Sequence, residues 1–351
     1  MVKKHTENIF AQTGAEALVI TQDDYRFYLT GFQSSFGILI ADSTGIALYT
    51  DARYLEAVEA FLKGSDIAVK DYPRGVKLTE LLKGYKVISM PLDRVSANEY
   101  REFVQAGFEV IDCSKLVALE MSVKTTQEIE NISLSCNVAD KAYTELLGRI
   151  KEGMTETDVS AELEYLFRKH GSSGTSFPTI CAFGSNASVP HHETGNTKLK
   201  FGDEILLDFG CKVNGYCSDC TRTVLFGDDG KHAEFKDIYG KVLEAHEIVK
   251  REFTVGMMGK QGDALARNYL EKFNLAKYFT HSLGHSLGVN IHECPNLSPN
   301  DSTVFKDGMV FSDEPGVYIG GQLGIRIEDT CMLKGGKVIG LTNTDKKLTI
   351  I

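Results

Sequence analysis

Two aspartates, Asp208 and Asp219, lie in two apolar, β-rich runs on either side of the dipeptide Asn214-Gly215. Asn-Gly supplies the two positive-φ residues of a type I′ turn, so the sequence predicts a tight hairpin. Pairing outward from this turn places Asp208 opposite Thr221, with Asp219 one diagonal step away on the same face. A buried carboxylate pair needs a shared proton or bound cations; the alternative is that one aspartate is a solvated turn or edge residue.

The C-terminal third adds an imidazole and two more carboxylates, His285, Glu314 and Glu328. Each glutamate sits in a β-like run, and Gly320-Gly321 between the runs indicates that they fold back on one another. Four carboxylates and one imidazole form a ligand set for two adjacent divalent ions. A water held between two such ions becomes acidic enough to act as a nucleophile near neutral pH.

The order Asp, Asp, His, Glu, Glu is carried by the segments LLDFG, SDCTRT, HSLGHSLGVNIHE, DEPG and GIRIED. These segments resemble the metal-dependent proline peptidases of the pita-bread fold, which include Xaa-Pro aminopeptidase and Xaa-Pro dipeptidase (prolidase). The resemblance implies two bound divalent ions, with Mn²⁺ as the first choice and Co²⁺ or Zn²⁺ as alternatives. The implied ligands are Asp208, Asp219, His285, Glu314 and Glu328, with Asp219 and Glu328 bridging the ions.

The resemblance also implies that His191, His281 and His292 line the substrate site. In that chemistry a metal-bound hydroxide attacks the carbonyl carbon of the Xaa-Pro bond. Glu314 would accept the proton of the water and pass it to the leaving proline nitrogen. His292 would stabilise the oxyanion, and the other two histidines could position the proline.

Arg326 lies two residues before Glu328 and shares its strand parity, so its side chain can point into the same site. There a guanidinium could hold a carboxylate just outside the ligand set or a substrate carboxylate. The alternative for Arg326 is a surface charge. Tyr318 is a weaker candidate for a hydrogen-bonding role.

Three positions depart from the family pattern: Ser286 after the ligand histidine, Phe183 where serine is often found, and Asp313 before Glu314. Ser286 is expected to add a side chain near the metal, and Phe183 to narrow or fill a subsite. Asp313 is expected to raise the pKa of a neighbouring group.

The elements that must position these residues repeat along the chain. A capping-box pattern at Thr125 opens a long amphipathic helix, and a second pattern at Thr155 opens a shorter one before the aspartate hairpin. A helix over about 232–253 and a second one to about residue 273 follow that hairpin. Two copies of helix, Gly-Met turn, helix and sheet predict a pseudo-twofold domain.

YLTGF and TDARY near the N-terminus resemble the creatinase-type N-terminal domain of the same family. The resemblance therefore implies an α+β protein with two domains. Residues 1–120 form a smaller creatinase-type α/β domain, and residues 121–351 form the pita-bread (creatinase/aminopeptidase-like) catalytic domain.

The composition is that of a soluble globular protein, with 351 residues, 42% hydrophobic residues and a net charge of −10. The acidic balance argues against nucleic acid or an anionic membrane as the main partner. No long apolar run and no signal peptide are recognised, so the cytoplasm is predicted. Eight irregularly spaced cysteines fit reduced thiols. Cys217 and Cys220 are interpreted as strand residues, although Cys217 could make the site sensitive to oxidation.

The leading hypothesis is a metal-dependent Xaa-Pro aminopeptidase that acts on the N-terminus of short proline-containing peptides. The alternative is an Xaa-Pro dipeptidase, which needs a cation or a wall at the proline carboxylate. A non-catalytic peptide-binding protein of the same fold ranks below both. A creatine hydrolase lacks the metal set, and a methionine aminopeptidase normally lacks such an N-terminal domain. The resemblance alone implies a homodimer.

Overall fold

A computed structural model describes residues 2–351 of the chain. The described residues divide into two compact units, of which the first ends at Met121 and the second is Ser122–Ile351. Both units contain helices and strands, so the predicted α+β class is confirmed. Between residues 2 and 351 no helix combines the length and the apolar character that crossing a membrane requires.

The described part of the first unit contains a six-stranded mixed sheet and six α-helices. The helices are α1 (Val2–Thr13), α2 (Asp23–Thr30), α3 (Leu55–Phe61), α4 (Leu78–Leu81), α5 (Ala97–Gln105) and α6 (Ser114–Ser122). The strands are β1 (Ala17–Ile20), β2 (Ile38–Asp42), β3 (Gly45–Thr50), β4 (Ile67–Asp71), β5 (Val87–Met90) and β6 (Glu109–Asp112). Their order is β4-β3-β2-β1-β5-β6, with β1–β2 and β2–β3 antiparallel and the other pairs parallel.

Two helix pairs belong to the second unit. They are α7 (Thr126–Leu147) with α8 (Glu156–Lys169), and α9 (Ala233–Glu252) with α10 (Gly259–Glu271). The first helix begins where predicted, because Thr125 Oγ1 accepts a hydrogen bond from the amide of Glu128 and the Glu128 carboxylate accepts one from the amide of Thr125. The same reciprocal pair forms between Thr155 and Asp158. Both predicted capping boxes are therefore confirmed.

Thirteen strands lie within residues 122–351, all of which the structure describes. They are β7 (Gly174–Thr175), β8 (Ile180–Phe183), β9 (Glu204–Phe209), β10 (Cys211–Val213), β11 (Tyr216–Cys217), β12 (Cys220–Leu225), β13 (Gly284–Ser286), β14 (Glu293–Leu297), β15 (Val310–Asp313), β16 (Gly316–Ile319), β17 (Leu323–Arg326), β18 (Asp329–Lys334) and β19 (Lys337–Gly340). Three short 3₁₀ helices complete the chain at Leu92–Arg94, Gly184–Ser188 and Ala276–Tyr278.

Each helix pair packs on its own sheet, as the predicted repeat requires. The first pair shares a core with the sheet β12-β9-β8, and the second pair shares one with the sheet β14-β13-β15-β18-β19. On α8 the predicted apolar face is fully buried, since Val159, Leu163 and Leu166 are 0% exposed. Helical spacing of apolar residues thus fixes which side of each helix meets its sheet.

Two hairpins set the register of the candidate ligands. Asn214 and Gly215 have φ of 51° and 81°, as a type I′ turn demands. Asp208 pairs with Thr221, so the predicted register is confirmed.

In the second hairpin the strand pairs β15–β18 and β16–β17 share the same pairing register. Asp313 pairs with Asp329 in β15–β18, and Gly316 pairs with Arg326 in β16–β17. Glu314 and Glu328 lie between those ladders and therefore face each other, as the sequence predicted.

Candidate metal centre and catalytic site

The five residues expected to bind metal come together in the second unit. Carboxylate oxygens of Asp208, Asp219 and Glu328 lie within 4.8 Å of one another. His285 Nε2 lies 3.4 Å from Asp219 Oδ2 and 3.6 Å from Glu314 Oε1. The two hairpins and strand β13 thus direct four carboxylates and one imidazole at a common point.

In two of these carboxylates one oxygen accepts a hydrogen bond and the other accepts none from the described residues. Arg326 Nη2 donates to Asp208 Oδ2 at 2.6 Å, and Thr221 Oγ1 donates to Glu328 Oε2 at 2.6 Å. Asp208 Oδ1 and Glu328 Oε1 are buried and have no hydrogen-bond partner among residues 2–351. A buried carboxylate oxygen without a donor is costly unless a cation binds it.

The electrostatics of the cluster also favour a bound cation. Burial, followed by the charges of Glu328 and Asp208, raises the pKa of Asp219 well above its usual range. Burial and the charges of Glu314 and Asp208 likewise raise the pKa of Glu328. Among the described residues that line this site, Arg326 is the one permanent cation beside four carboxyl groups, so the four cannot all be ionised without further positive charge. Divalent cations would supply the missing positive charge.

His285 presents a neutral ring nitrogen to the carboxylates. Its Nδ1 lies 3.2 Å from the carbonyl oxygen of Ser286, which can only accept, so Nδ1 carries the proton and Nε2 faces the carboxylates. Burial and the neighbouring His292 lower the pKa of His285 to about 4. The backbone of β13 comes close to β15 here, because a Cβ on Gly284 would lie 1.9 Å from the carbonyl oxygen of Ser312. Oxygen-rich donors with one imidazole fit Mn²⁺, Co²⁺ or Zn²⁺.

A cavity of about 640 Å³ opens beside these five side chains. His191, His281 and His292 line it, so the structure brings the three predicted histidines to the cluster. Its wall also includes three apolar residues that the sequence did not indicate as site residues: Phe177, Pro178 and Ile180.

A chain of hydrogen bonds joins Arg326, Tyr318 and His281 along the cavity. Arg326 Nη1 donates to the Tyr318 hydroxyl at 2.6 Å, and that hydroxyl lies 2.8 Å from His281 Nε2. His281 Nδ1 lies 2.8 Å from the carbonyl oxygen of Ser282, so Nδ1 is the donor and Nε2 accepts from Tyr318. Burial and Arg326 lower the pKa of His281 to about 3, which keeps the ring neutral. Arg326 is therefore buried in the wall of the cavity and is not a surface charge.

Glu156 holds the segment that carries His191, and the sequence did not point to it. Its Oε1 accepts from the amide of Phe183 at 2.9 Å, and its Oε2 accepts from the amide of Gly195 at 3.0 Å. His192 Nε2 lies 2.9 Å from the same Oε2. No local motif marks a glutamate in the first turn of α8 as the partner of a segment about 30 residues away.

A buried ion pair holds the residue next to His292. Lys124 Nζ lies 2.5 Å from Glu293 Oε2, and the two side chains are 1% and 5% exposed. The amide of Asn290 donates to Glu293 Oε1 at 3.0 Å. This pair fixes the turn before β14 and with it the backbone of His292.

Two of the expected effects of departures from the family pattern are wrong. Phe183 is 2% exposed and packs in the core of the first helix pair, so it does not narrow the cavity. Ser286 Oγ donates to the carbonyl oxygen of Pro295 at 2.7 Å, because strand alternation turns it away from His285. The third expectation, that Asp313 raises the pKa of a neighbouring group, is confirmed. Burial raises the pKa of Glu314, and the charge of Asp313 is among those that raise it further.

The cysteines near the centre are poorly suited to redox chemistry. All eight lie among the described residues, and none forms a disulfide. Cys217 Sγ lies 3.5 Å from the carbonyl oxygen of Val289, and burial raises the pKa of this thiol to about 11. The structure therefore argues against the oxidation-sensitive role considered for Cys217, because the thiolate is the reactive form.

Comparisons with known proteins agree with this arrangement. Residues 130–334 match the model of metallopeptidase family M24, and residues 4–119 match the creatinase/prolidase N-terminal domain. The chain is 32% identical to the Xaa-Pro dipeptidase of Pyrococcus furiosus over 89% of its length and 88% of the relative. It is 34% identical to a putative Xaa-Pro aminopeptidase of Mycoplasma genitalium over 94% of its length and 93% of the relative.

The solved structure of an Xaa-Pro dipeptidase from Bacillus anthracis superposes with a TM-score of 0.93 at 31% identity. That superposition covers 100% of this chain and 99% of the other. The fold predicted from the sequence, a creatinase-type N-terminal part followed by a pita-bread catalytic part, is confirmed by these matches.

Proposed function

The chain belongs to metallopeptidase family M24, and from this premise we propose that it is a dinuclear-metal Xaa-Pro aminopeptidase. It would remove the first residue of short peptides whose second residue is proline. Such bonds resist ordinary peptidases because proline lacks an N–H and restrains the backbone. We also propose residues 1–120 and 121–351 as the two domains, and a cytoplasmic homodimer as the working form.

One observation carries the proposal: five ligand-type side chains meet, while buried carboxylate oxygens of Asp208 and Glu328 have no hydrogen-bond donor among residues 2–351. Asp208, Asp219, His285, Glu314 and Glu328 would hold two divalent ions, with Mn²⁺ as the first choice. Bound there, the ions would supply Lewis acidity, which acidifies water and polarises a peptide carbonyl.

The side chains around the ligands have separate roles in this proposal. Glu314 would accept a proton from the attacking water on a carboxylate oxygen and deliver it to the leaving proline nitrogen. His292 would donate a hydrogen bond to the oxygen of the tetrahedral intermediate. His191 would contact the substrate, and His281, whose two nitrogens are engaged, would act through Tyr318 to orient Arg326.

The charge of the cavity favours the aminopeptidase over the dipeptidase. Among the described residues that line the cavity, Arg326 is the one permanent cation. It is 3% exposed, and its guanidinium is already paired with Asp208. A free proline carboxylate would therefore meet no unpaired cation, whereas a peptide bond after proline needs none.

The dipeptidase stays as the second candidate because relatives with that name cover most of the chain. A non-catalytic peptide-binding protein ranks below both, since all five ligand residues are present.

Hydrolysis assays test the proposal directly. The chain is stripped with a chelator and reconstituted with Mn²⁺, Co²⁺ or Zn²⁺. An Xaa-Pro-Yaa tripeptide, an Xaa-Pro dipeptide and an Xaa-Ala-Yaa control are then compared. We expect metal-dependent cleavage of the tripeptide alone. Cleavage of the dipeptide alone would assign the dipeptidase, and no turnover with two ions bound would refute both.

A pair of Asp-to-Asn variants separates the centre from other acidic groups. We expect D219N to lower kcat/KM by more than about 100-fold, because it removes a ligand and not merely a partner that orients one. D228N is the matched control, since Asp228 belongs to an exposed acidic cluster with Asp229 and His232. Equal losses in the two variants would contradict the assignment of the centre.

A further inference from the structure

A fully buried charged cluster lies directly behind the two glutamates of the centre. Asp313 and Asp329 are the chain neighbours of Glu314 and Glu328, and they face each other across β15 and β18. Both are 0% exposed. Opposed residues of an antiparallel pair have Cβ atoms about 4.5–5.5 Å apart, so two buried negative charges here repel each other strongly.

Helix α9 places one histidine between these aspartates. His246 Nδ1 lies 3.0 Å from Asp313 Oδ2, and His246 Nε2 lies 3.3 Å from Asp329 Oδ2. The ring is 0% exposed. Although burial alone would lower the pKa of His246, Asp313 and Asp329 raise it to about 9, so the ring is a cation at neutral pH.

The two aspartates depend on His246 to different degrees. Asp329 has further partners, because Arg222 Nη2 lies 2.7 Å and Lys346 Nζ 2.8 Å from its oxygens. For Asp313, His246 is the one cation within ion-pair distance among residues 2–351. Removing His246 therefore leaves the buried Asp313 carboxyl with no cation within ion-pair distance among those residues.

The cluster and the metal ligands share two strand segments of the same backbone. One residue step turns the side chain to the opposite face, so Asp313 points at α9 while Glu314 points at the centre. The amide of Glu314 donates to the carbonyl oxygen of Leu283, and that of Glu328 donates to the carbonyl oxygen of Thr221. At the glutamates the two strands bond to other neighbours, so the spacing of Glu314 and Glu328 depends on the pairs on either side. Those pairs are Asp313 with Asp329, and Pro315 with Ile327, whose amide donates to the Pro315 carbonyl oxygen at 3.3 Å.

We infer that His246 is a positioning residue that, by bridging Asp313 and Asp329, holds Glu314 and Glu328 at the separation needed to bind the same two ions. This inference rests on the metal centre of the proposed function. The protonated imidazole compensates the two carboxylates and ties β15 and β18 to α9. Without it, Asp313 loses its counter-ion and β15 and β18 lose this tie to α9, so the spacing of the glutamates changes.

Calorimetric titration of the chelator-stripped full chain with Mn²⁺ tests this inference without any need for turnover. Four variants are compared with the parent chain: H246Q, D313N, the double variant H246Q/D313N, and H170Q. H170Q is the matched control, since His170 Nε2 lies 2.9 Å from Glu145 in a partly exposed pair outside the centre. Far-ultraviolet circular dichroism checks that each variant is folded.

We expect H246Q to weaken Mn²⁺ binding by about 10-fold or more, as is usual when the partners that orient metal ligands are lost. Adding D313N to H246Q should restore binding to within about threefold of D313N alone, because no uncompensated aspartate remains. H170Q should bind Mn²⁺ like the parent chain.

An H246Q variant that binds Mn²⁺ as tightly as the parent would overturn the inference, even if its thermal stability falls. A double variant that binds about 10-fold more weakly than D313N would also overturn it. That second comparison decides the question if H246Q alone does not fold. A parent chain that binds Mn²⁺ but cleaves no peptide refutes the peptidase proposal, while these comparisons still decide the role of His246.

Discussion

Breaking the buried ion pair between Lys124 and Glu293 should destabilise the second unit strongly. The charged atoms are 2.5 Å apart, and both side chains are at most 5% exposed. At an effective dielectric constant of about 20, two unit charges at this separation attract each other by roughly 6–7 kcal/mol. The cost of removing both charges from water offsets much of this attraction. Removal of one partner, which strands the other charge, typically costs about 3–5 kcal/mol.

The backbone of Gly288 packs against both partners of this pair. A Cβ placed on Gly288 would lie 2.9 Å from Glu293 Oε2 and 3.0 Å from Lys124 Cε, so the pair is packed tightly against that backbone. We expect K124M and E293Q each to lower the free energy of unfolding by about 3–5 kcal/mol. The double variant K124M/E293Q should lose less than the sum of the two, because it strands no charge.

Guanidinium chloride denaturation of the four chains measures the coupling energy. We expect at least about 2 kcal/mol for Lys124 and Glu293. A second cycle at Arg149 and Glu162 is the control, because those paired side chains are 38% and 30% exposed. Exposed pairs typically couple by about 0.2–1 kcal/mol. Additive effects of K124M and E293Q, within about 0.5 kcal/mol, would refute the reasoning.

Three further predictions concern pH, the guanidinium and the metal. Burial raises the pKa of Glu204 from 4.5 to about 7. The folded chain therefore keeps a proton that the unfolded chain has lost. Its free energy of unfolding should fall by about 3 kcal/mol from below pH 4.5 to above pH 7. For E204Q, the free energy of unfolding measured by denaturation across this range should show no such fall. Arg326 donates hydrogen bonds to Thr221, Tyr318 and Asp208. R326K keeps the charge but loses the planar guanidinium, so it should lower kcat/KM by roughly 10–100-fold. Circular dichroism should show that this variant is still folded. The chelator-stripped chain should melt at a lower temperature than the chain with Mn²⁺. At about 100 times its Kd, the bound Mn²⁺ should stabilise the folded state by about 2.7 kcal/mol. Equal melting temperatures would contradict a metal centre in the folded chain.

The sequence alone determined the parts of the site that local rules control. Asn214-Gly215 fixes a type I′ turn, and that turn fixes the register that sets Asp208 opposite Thr221. Capping boxes fix where α7 and α8 begin. In the first unit no such local rule marks β4 and β6, because their short runs end in charged residues and show little alternation of apolar and polar residues.

Only the tertiary structure decided which distant residues meet. Glu156 reaches the segment of His191, His246 reaches the aspartates behind the glutamates, and Lys124 reaches Glu293, each across a long stretch of chain. Helical and strand periodicity tell which side of an element is buried, but not which element covers that side. The partner of a buried charge is therefore fixed by the packing of helices on sheets, where burial makes an uncompensated charge too costly to remain.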